Sequence, residues 1–286
     1  MSPQGVNILH ITTNDHGAIF DDLIELLTDT LEQIGHAVQR TTTHFDRSRL
    51  NLLVGHTAFL KKEAFDSIRQ SGAKYLIFQM ETLDERSGAA GPSPAYMEVL
   101  AHANQVWDYS RKNLEYLATH GCRDTQYIPI GYSPRLERIT HAQNKDIDVL
   151  FYGTGNARRL QILDALRARG VRVEAVFRAY GQPRDQAIAR SKIVLNLHKF
   201  DHSELEQVRI SYLLNNRCFV ISEPAPGNPW GDGVVFSDYD KLVDCCVNYL
   251  RPEMAARRSQ IAETGYANLK SLPMAAGMRS ALDRLG

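Results

Sequence analysis

The sequence predicts an α/β protein made of two consecutive domains, and three observations lead to this prediction. Short apolar runs of strand length alternate with longer segments whose apolar residues recur at helical spacing, which is typical of strands joined by helices. Residues 135–145 are polar and lack apolar periodicity, and the same alternation starts again after them. With 286 residues, the chain is long enough for two domains of ordinary size. We therefore expect domains at residues 1–140 and 141–270, with the polar stretch as the linker.

The first half contains apolar runs that we predict to be strands. They lie at residues 6–11, 37–41, 51–55, 74–79, 105–109 and 125–130. Helices are predicted at residues 20–34, 61–71, 93–102 and 111–120. Leu23, Leu27 and Ile34 illustrate the helical spacing in the first of these helices. Gly35 is expected to end it, because glycine readily adopts the backbone conformation that follows a helix.

The second half repeats the pattern. Strands are predicted at residues 147–152, 171–177, 193–197, 218–222 and 234–236. Helices are predicted at residues 158–169, 184–191, 206–215 and 239–250. A last helix is expected to begin near Glu253 and to continue past Pro273 to residue 286.

The composition argues against several classes of protein. The 33 basic and 33 acidic residues give a formal net charge of zero, whereas nucleic-acid-binding proteins and proteins held on anionic membranes need a basic surface. No segment approaches the ~18 consecutive apolar residues of a membrane span, and the N-terminus lacks the pattern of a signal peptide. The four cysteines lack metal-binding spacing, and we expect them to be reduced. These features predict a cytoplasmic protein with no nucleic-acid partner and no integral membrane segment.

A glycine-containing turn follows the first strand of the second half. In open parallel sheets, ligands bind outside the carboxyl ends of the strands. Gly153, Thr154 and Gly155 lie at such an end, where glycines let the backbone approach a pyrophosphate beside a helix N-terminus. Arg158 stands where a dinucleotide-binding fingerprint has its third glycine, and it adds a cation beside the helix. The turn is therefore either a phosphate-binding turn or a plain tight turn, and with Glu174 as a ribose ligand it would fit an NAD-dependent oxidoreductase.

The segment 191–224 carries the largest group of candidate ligand-binding residues. Its buried strand delivers Asn196 and His198 to a loop, and a helix containing Arg209 follows. Glu204 and Glu206 lie at the head of this helix, where carboxylates suit the helix dipole. Only one carboxylate is needed for a cap, so the other is free to accept hydrogen bonds from sugar hydroxyls.

This segment resembles the donor-binding half of group-1 glycosyltransferases of the GT-B fold, especially short bacterial proteins of the spore-coat-maturation type. The matching residues are Glu204, Glu206, Arg209, Asn215, Asn216, Ser222 and Glu223. A similar pattern extends from about residue 51 to residue 250. The resemblance implies two Rossmann-like α/β domains that face each other across a cleft, with a C-terminal helix at residues 271–286 that packs back on the N-terminal domain.

The chain departs from this group at one position. Group-1 enzymes often carry two glutamates separated by seven residues, and Tyr212 stands where the glutamate paired with Glu204 would be. Glu206 is the substitute that we consider. The departure also leaves open a second hypothesis, a non-catalytic protein that binds a nucleotide or sugar.

The resemblance implies a hexosyltransferase-type enzyme that moves a sugar from a nucleotide-sugar donor to an acceptor that the sequence does not identify. Metal-independent enzymes of this fold hold the diphosphate with cations and backbone N–H groups, so we expect no metal and no cofactor. The phosphates are expected at residues 153–155 and near Arg178 or Arg209, and the loop 178–181, which includes Tyr180, is expected to line the base.

The acceptor needs a base that removes its proton. The candidates on the first half are Asp15 and His16, in the turn after the first strand, and Glu81, after the fourth strand. Histidine is favoured because its ordinary pKa of about 6.5 suits a base at neutral pH. We expect the enzyme to be a monomer or a homodimer.

Overall fold

The computed structural model describes residues 5–10, 17–55, 66, 70, 72–83, 92–200 and 205–285 of the chain. The chain forms two compact units, one of Met1–Ser133 with Pro273–Gly286 and one of Pro134–Leu272. Each unit contains a parallel sheet and helices, which confirms the α/β class predicted from the sequence.

The first unit is built on a six-stranded parallel sheet, counted within the described residues. Its strands are Val6–His10 (β1), Val38–Thr41 (β2), Leu50–Val54 (β3), Tyr75–Gln79 (β4), Gln105–Asp108 (β5) and Thr125–Tyr127 (β6), in the order β2-β1-β3-β4-β5-β6. Its first helices are Asp21–Gln33 (α1), Pro94–His102 (α2) and Arg111–Thr119 (α3). The side chains of Ser93 and Ser110 cap α2 and α3 by accepting backbone hydrogen bonds at 3.1 and 3.3 Å. All five residues of β1 are buried, as expected of a strand inside a parallel sheet.

The second unit has a five-stranded parallel sheet in the part of the chain that the structure describes. Its strands are Ile147–Gly153 (β7), Val173–Phe177 (β8), Ser191–Asn196 (β9), Val220–Ser222 (β10) and Val235–Phe236 (β11), in the order β11-β10-β9-β7-β8. Its helices are Ala157–Ala168 (α4), Gln182–Ala189 (α5), Gln207–Asn215 (α6), Leu242–Leu250 (α7) and Ala255–Ser271 (α8). The core packs apolar side chains of β7 and β9, such as Phe151 and Leu195, against α4 and α7. The strand order reverses direction between β7 and β9, which is the position where open α/β sheets bind ligands.

The single C-terminal helix predicted across Pro273 is wrong. The chain forms α8, which ends at Ser271, and a separate helix, Met274–Asp283 (α9). A proline has no N–H to donate and disfavours the helical conformation of the residue before it, and Leu272 is accordingly extended, with φ −68° and ψ 132°. Helix α9 belongs to the first unit, where the backbone carbonyl of Ala281 accepts a hydrogen bond of 3.0 Å from the Gln105 side chain.

Other predicted boundaries shift by a few residues. Ser191, predicted as the end of a helix, is instead the first residue of β9, and its hydroxyl donates to the carbonyl of Ile188. The strand predicted at residues 125–130 ends at Tyr127. Most of the helix predicted at residues 61–71 lies outside the described residues. Among the helices described, none has the length and apolar character that crossing a membrane requires.

Helix α8 approaches the turn Gly231–Gly233 through a pair of glycines. A Cβ atom on Gly265 would lie 2.6 Å from a Leu214 methyl carbon and 2.7 Å from the Gly233 carbonyl oxygen. Both distances are too short for non-bonded atoms, so the sequence needs glycine at this contact. It is a contact between backbones that a larger residue would force apart.

We therefore expect Gly265→Ala to lower the free energy of unfolding by about 1–3 kcal/mol, because overpacking displaces the backbone or Leu214. Chemical denaturation measures this change. Gly277→Ala is the matched control, because a Cβ atom there would lie at an ordinary 3.5 Å from its nearest neighbour, Ile128. The control is expected to be neutral, or stabilising by up to about 1 kcal/mol through helix propensity. Equal effects of the two changes would contradict the close contact.

Candidate functional site

Polar residues of the second unit meet at the carboxyl ends of β7, β9 and β10. Gly153, Asn196 and Ser222 are the last residues of these three strands. The Asn196 side-chain amide donates a hydrogen bond of 3.0 Å to the Ser222 hydroxyl and so connects two strand ends. The edge lies where the strand order reverses, and the helices α4 and α6 begin beside it.

Arg209 lies in the first turn of α6 and extends toward this edge. Its Nη1 donates to the Asn196 side-chain oxygen at 3.1 Å, and its guanidinium carbon lies 5.1 Å from the centre of the Tyr152 ring. Among the described residues this is the only hydrogen bond of the guanidinium, which also makes no ion pair there. Since arginine has five N–H donors, Arg209 retains donors for an anion.

Gly153 makes the close approach of Arg209 possible. A Cβ atom on Gly153 would lie 2.9 Å from Nη2 of Arg209, and the φ angle of Gly153 is +139°, which side chains other than glycine rarely allow. The next residue, Thr154, accepts hydrogen bonds from Nη1 of Arg159 at its carbonyl oxygen (2.8 Å) and its hydroxyl (3.0 Å). The glycine turn therefore lies between Arg209, which retains N–H donors, and Arg159, whose guanidinium donates hydrogen bonds to the turn.

Arg159 is a buried structural residue. Its Nε and Nη2 donate to the carbonyl of Leu197, at 3.0 and 2.7 Å, and only 4% of the side chain is exposed. Burial, followed by the positive charge of Arg209, lowers the pKa of Arg159 to about 10, so it stays charged at neutral pH. Arg159 thus ties the turn after β7 to the end of β9. The sequence alone does not separate its role from that of Arg158.

Arg158 forms an ion pair with Glu223, the residue after β10. One guanidinium nitrogen of Arg158 donates to Oε1 of Glu223 at 2.7 Å, and the other donates to Oε2. The buried Glu223 carboxylate also accepts a hydrogen bond of 2.8 Å from the backbone N–H of His198. The guanidinium carbon of Arg158 lies 4.1 Å from the centre of the Tyr239 ring. The role of Arg158 in phosphate binding stays a prediction.

Glu206 and His198 form a hydrogen-bonded pair of side chains in the site. Glu206 is at the N-cap position of α6, but its side chain makes no capping hydrogen bond, so the capping interpretation is wrong for this carboxylate. Its Oε2 accepts hydrogen bonds from the Asn196 amide at 2.8 Å and from Nδ1 of His198 at 2.9 Å. Its Oε1 accepts none from the described residues and lies 3.9 Å from Nη2 of Arg159. This oxygen can accept a hydrogen bond from a ligand.

The two side chains of this pair shift each other's pKa. Burial alone would lower the pKa of His198, but its hydrogen bond to Glu206 and the negative charge of that carboxylate outweigh burial and raise it above 6.5. Burial would raise the pKa of Glu206, but the hydrogen bond and charge of His198, together with Arg209, lower it below 4.5. Both shifts favour a charged pair.

The pair predicts a pH-dependent contribution to stability. A histidine whose pKa rises on folding stabilises the folded state fully below pH 6.5. This contribution is lost as the pH rises through the histidine's pKa in the folded state. A glutamate whose pKa falls on folding stabilises above 4.5 and loses this contribution as the pH falls through its folded pKa. The pair therefore contributes most between those two values.

We expect the free energy of unfolding of the wild type, relative to His198→Gln, to decrease as the pH rises above 6.5. Denaturation from about pH 5 to pH 9 measures the difference. In Glu206→Gln, the carboxylate that raises the pKa of His198 is absent and burial dominates. An NMR titration should therefore find a lower pKa for His198 in this variant than in the wild type. A stability difference that grows with pH would contradict the charged pair.

The remaining predicted donor-side residues lie around the end of β8. Gly155 packs beside Phe177, whose ring carbon would be 3.2 Å from a Cβ atom at Gly155. Arg178 is exposed and has a positive φ of 56°, which is uncommon for a residue with a side chain, and Tyr180 is half-buried. Phe177 is 46% exposed and was not among the predicted site residues, although its place at a strand end is the signal that identifies it. Glu204 lies outside the described residues.

Tyr212, at the position of the second glutamate of group-1 enzymes, belongs to a buried polar cluster. Its hydroxyl donates to Asp185 at 2.8 Å and accepts from Nε of Arg138 at 3.2 Å. The guanidinium carbon of Arg184 lies 4.1 Å from the centre of its ring. Tyr212 therefore supplies no carboxylate for a ligand, and its contacts explain it as part of the core.

In the first unit, the structure describes one of the three base candidates. Asp15 and His16 lie outside the described residues. Glu81 follows β4, and the Gln79 side chain fixes its backbone by accepting from its N–H at 2.6 Å and donating to its carbonyl at 2.8 Å. Asn113 donates to the same carbonyl at 2.9 Å. The backbone of Glu81 is thus held at the carboxyl edge of the sheet.

His10 lies at the same edge and was not among the residues predicted from the sequence. It ends β1, where the strand order of the first unit reverses, and its ring packs edge-on against Phe20 at 5.2 Å between centres. It is buried, its Nε2 has no hydrogen-bond partner among the described residues, and burial lowers its pKa. The signal was a polar residue at the last position of an apolar strand.

Comparisons with known sequences give distant relatives. No protein family model matches the chain. Uncharacterized protein L140 of Acanthamoeba polyphaga mimivirus is 28% identical over 176 residues, which cover 55% of this chain and 55% of that protein. Uncharacterized protein L137 of the same virus is 29% identical over 153 residues, 50% of this chain and 20% of that protein. The chain thus spans about half or less of the curated relatives, and the bacterial origin implied by the resemblance is not supported, because these relatives are viral.

Solved structures match nearly the whole chain. Sucrose-phosphate synthase from Thermosynechococcus elongatus superposes with a TM-score of 0.64 at 12% identity, over 99% of both chains. Anabaena HepE in complex with UDP-glucose gives 0.67 at 12% identity, over 98% of both chains. T4 phage BGT in complex with UDP and Mn²⁺ gives 0.61 at 12% identity, over 98% of this chain and 99% of that one. We conclude that the chain has the GT-B fold, as the sequence resemblance predicts.

Proposed function

We propose that this chain is a glycosyltransferase that transfers a sugar from a nucleotide-sugar donor to an acceptor without a divalent metal. The observation that carries this proposal is the Arg209 guanidinium, which lies beside Gly153 at the strand-order reversal and retains N–H donors. The GT-B fold supports it, as do the similar solved structures, which include complexes with UDP-glucose and with UDP.

The donor's diphosphate fits the turn of Gly153, Thr154 and Gly155. Its negative charge would be neutralised by Arg209 and by backbone N–H groups at the start of α4. The same groups stabilise the charge that develops on the leaving phosphate when the sugar is transferred. The loop with Arg178 and Tyr180 would then line the base, and the exposed ring of Phe177 would give it an apolar surface.

The donor's sugar would bind Glu206 and His198. Oε1 of Glu206 accepts no hydrogen bond from the described residues, so it suits a sugar hydroxyl. Glu204 is proposed as a second carboxylate for the same purpose. Asp15, His16 and Glu81 remain the proposed bases for the acceptor, whose identity the proposal leaves open.

Metal independence is part of this proposal. Asp-x-Asp triplets, which often hold divalent ions, occur at residues 146–148 and 238–240. Asp146 pairs with Arg190, Asp148 pairs with Arg172 and Lys192, and Asp238 pairs with Lys241. The first triplet lies at the start of β7, at the opposite end of the strand from Gly153. The phosphate charge is instead assigned to Arg209.

We expect UDP to raise the thermal stability of the protein in EDTA, with no further effect of Mn²⁺. A ligand that binds only the folded state at about 100 times its Kd adds about 2.7 kcal/mol of stability. Thermal-shift measurements with UDP, GDP, CMP, dTDP and NAD test this expectation. Stabilisation that requires Mn²⁺ would overturn metal independence, and stabilisation by NAD alone would overturn the glycosyltransferase proposal.

A non-catalytic nucleotide-binding protein is the second candidate, and Tyr212 favours it because it replaces a carboxylate of group-1 enzymes. Binding of UDP without release of UDP from UDP-glucose would support that candidate. The NAD-dependent oxidoreductase is not favoured, because Glu174 is the second residue of β8 and lies away from the carboxyl edge. A cytoplasmic location and a monomeric or homodimeric state stay predictions.

A further inference from the structure

A pocket of about 180 Å³ opens at the amino-terminal edge of the sheet in the second unit. Its lining includes four basic side chains and a hydroxyl, from Lys145, Lys192, Arg217, Arg258 and Ser259. Lys145 precedes β7, and Lys192 is the second residue of β9. Asn196 of the candidate donor site lies four residues further along β9, about 13 Å away at the rise of a strand. The pocket is therefore separate from the donor site.

Two of the four cations already have carboxylate partners. Arg217 pairs with Glu137 and with Glu263, and its guanidinium carbon also lies 3.7 Å from the centre of the Tyr266 ring. Lys192 pairs at 2.8 Å with Asp148, which it shares with Arg172. These pairs hold both side chains in place at the rim of the pocket.

Lys145 and Arg258 differ from those two cations. Nζ of Lys145 contacts Nδ1 of His141 at 3.2 Å, and Arg258 donates to the backbone carbonyl of Tyr249. Within the described part of the chain, neither makes an ion pair with a carboxylate. Both are half-buried, so the pocket holds two positive charges that lack a paired negative charge.

The electrostatics agree with this geometry. Burial lowers the pKa of Lys145, and the positive charge of Arg258 lowers it further. Burial also lowers the pKa of Arg258, against the attraction of Asp148. An anion in the pocket would relieve the repulsion between these cations and accept hydrogen bonds from them.

We propose that this pocket binds a phosphate group, as free phosphate or as a small phosphate monoester. Its volume is below the roughly 300–1,000 Å³ of pockets for drug-sized ligands, so it suits a phosphate group better than a nucleotide. Lys145 and Arg258 supply positive charge that no carboxylate of the described residues pairs with. The site does not depend on the proposed glycosyl transfer.

Calorimetric titration with inorganic phosphate and with glycerol phosphate, at constant ionic strength, tests the proposal. In the double variant Lys145→Met and Arg258→Met, we expect the Kd for phosphate to rise at least about tenfold, the loss expected for charge-assisted hydrogen bonds. Arg257→Met is the matched control, because Arg257 lies next in the chain but is exposed and bonded to Gln260. The control should leave the Kd unchanged, and the preferred probe distinguishes free phosphate from an ester.

Arg209→Ala distinguishes the two sites of this unit. If it abolishes phosphate binding while the double variant binds normally, phosphate occupies the donor site and the proposal is overturned. Absence of any phosphate binding to the wild type also overturns it. Chemical acylation of the wild type gives a readout without variants: phosphate should slow acylation of Lys145 but leave that of the exposed Lys270 unchanged. Equal rates at Lys145 with and without phosphate would contradict the proposal.

Discussion

Replacing Glu223 with alanine is expected to lower the free energy of unfolding by about 3–5 kcal/mol, the loss found when one partner of a buried ion pair is removed. The Glu223 side chain is 4% exposed and that of Arg158 is 21% exposed, so the pair lies largely outside water. The change leaves the Arg158 guanidinium without its carboxylate and removes the acceptor of the His198 backbone N–H. Chemical denaturation measures the loss.

An exposed ion pair of the same unit is the control for this prediction. Asp244 is 75% exposed and pairs with Arg169 at 3.2 Å. Asp244→Ala should change the free energy of unfolding by less than about 1 kcal/mol, because solvent screens exposed pairs. If Glu223→Ala lowers the free energy of unfolding no more than Asp244→Ala does, the buried pair with Arg158 does not stabilise the edge of the sheet.

Replacing Arg209 with alanine is expected to weaken UDP binding by about 1–3 kcal/mol, a rise in Kd of about 5–150-fold. The reason is that the guanidinium is proposed to donate charge-assisted hydrogen bonds to the diphosphate. It makes one hydrogen bond within the described residues, to Asn196, so the loss of folding stability should stay within about 1.5 kcal/mol. Calorimetric titration with UDP measures the affinity.

The exposed Arg167 of α4 provides the control for Arg209. It pairs only with Asp164, three residues earlier on the same helix, as far as the described residues go. Arg167→Ala should leave the Kd for UDP unchanged. An unchanged affinity in Arg209→Ala would assign Arg209 a structural role and remove the main support for the donor site.

The fold class could be predicted from the sequence because several strands are short, largely buried apolar runs, although β2 and β8 are only half-buried. β1 and β7 stand out from the polar segments around them, and the predicted class is confirmed. The sequence prediction of one C-terminal helix followed the fold that the resemblance implies, whereas Pro273 ends the helical conformation at Leu272 and separates α8 from α9.

The site was only partly accessible. Position at or just after the end of a strand identified Asn196 and His198, because carboxyl strand ends in a parallel sheet lie at one edge, and the family resemblance identified Arg209. Contacts between distant segments could not be read from the sequence. Arg158 and Arg159 are neighbours in the chain, yet one pairs with Glu223 and the other binds the Leu197 carbonyl. Spacing along one helix carries no information about these partners.

A structure of the protein with UDP-glucose would locate the proposed donor site. We predict that the diphosphate lies against Gly153, Thr154 and Gly155 and within hydrogen-bond distance of Arg209, at the edge formed by β7 and β9. A nucleotide bound wholly within the first unit, Met1–Ser133 with Pro273–Gly286, would contradict it.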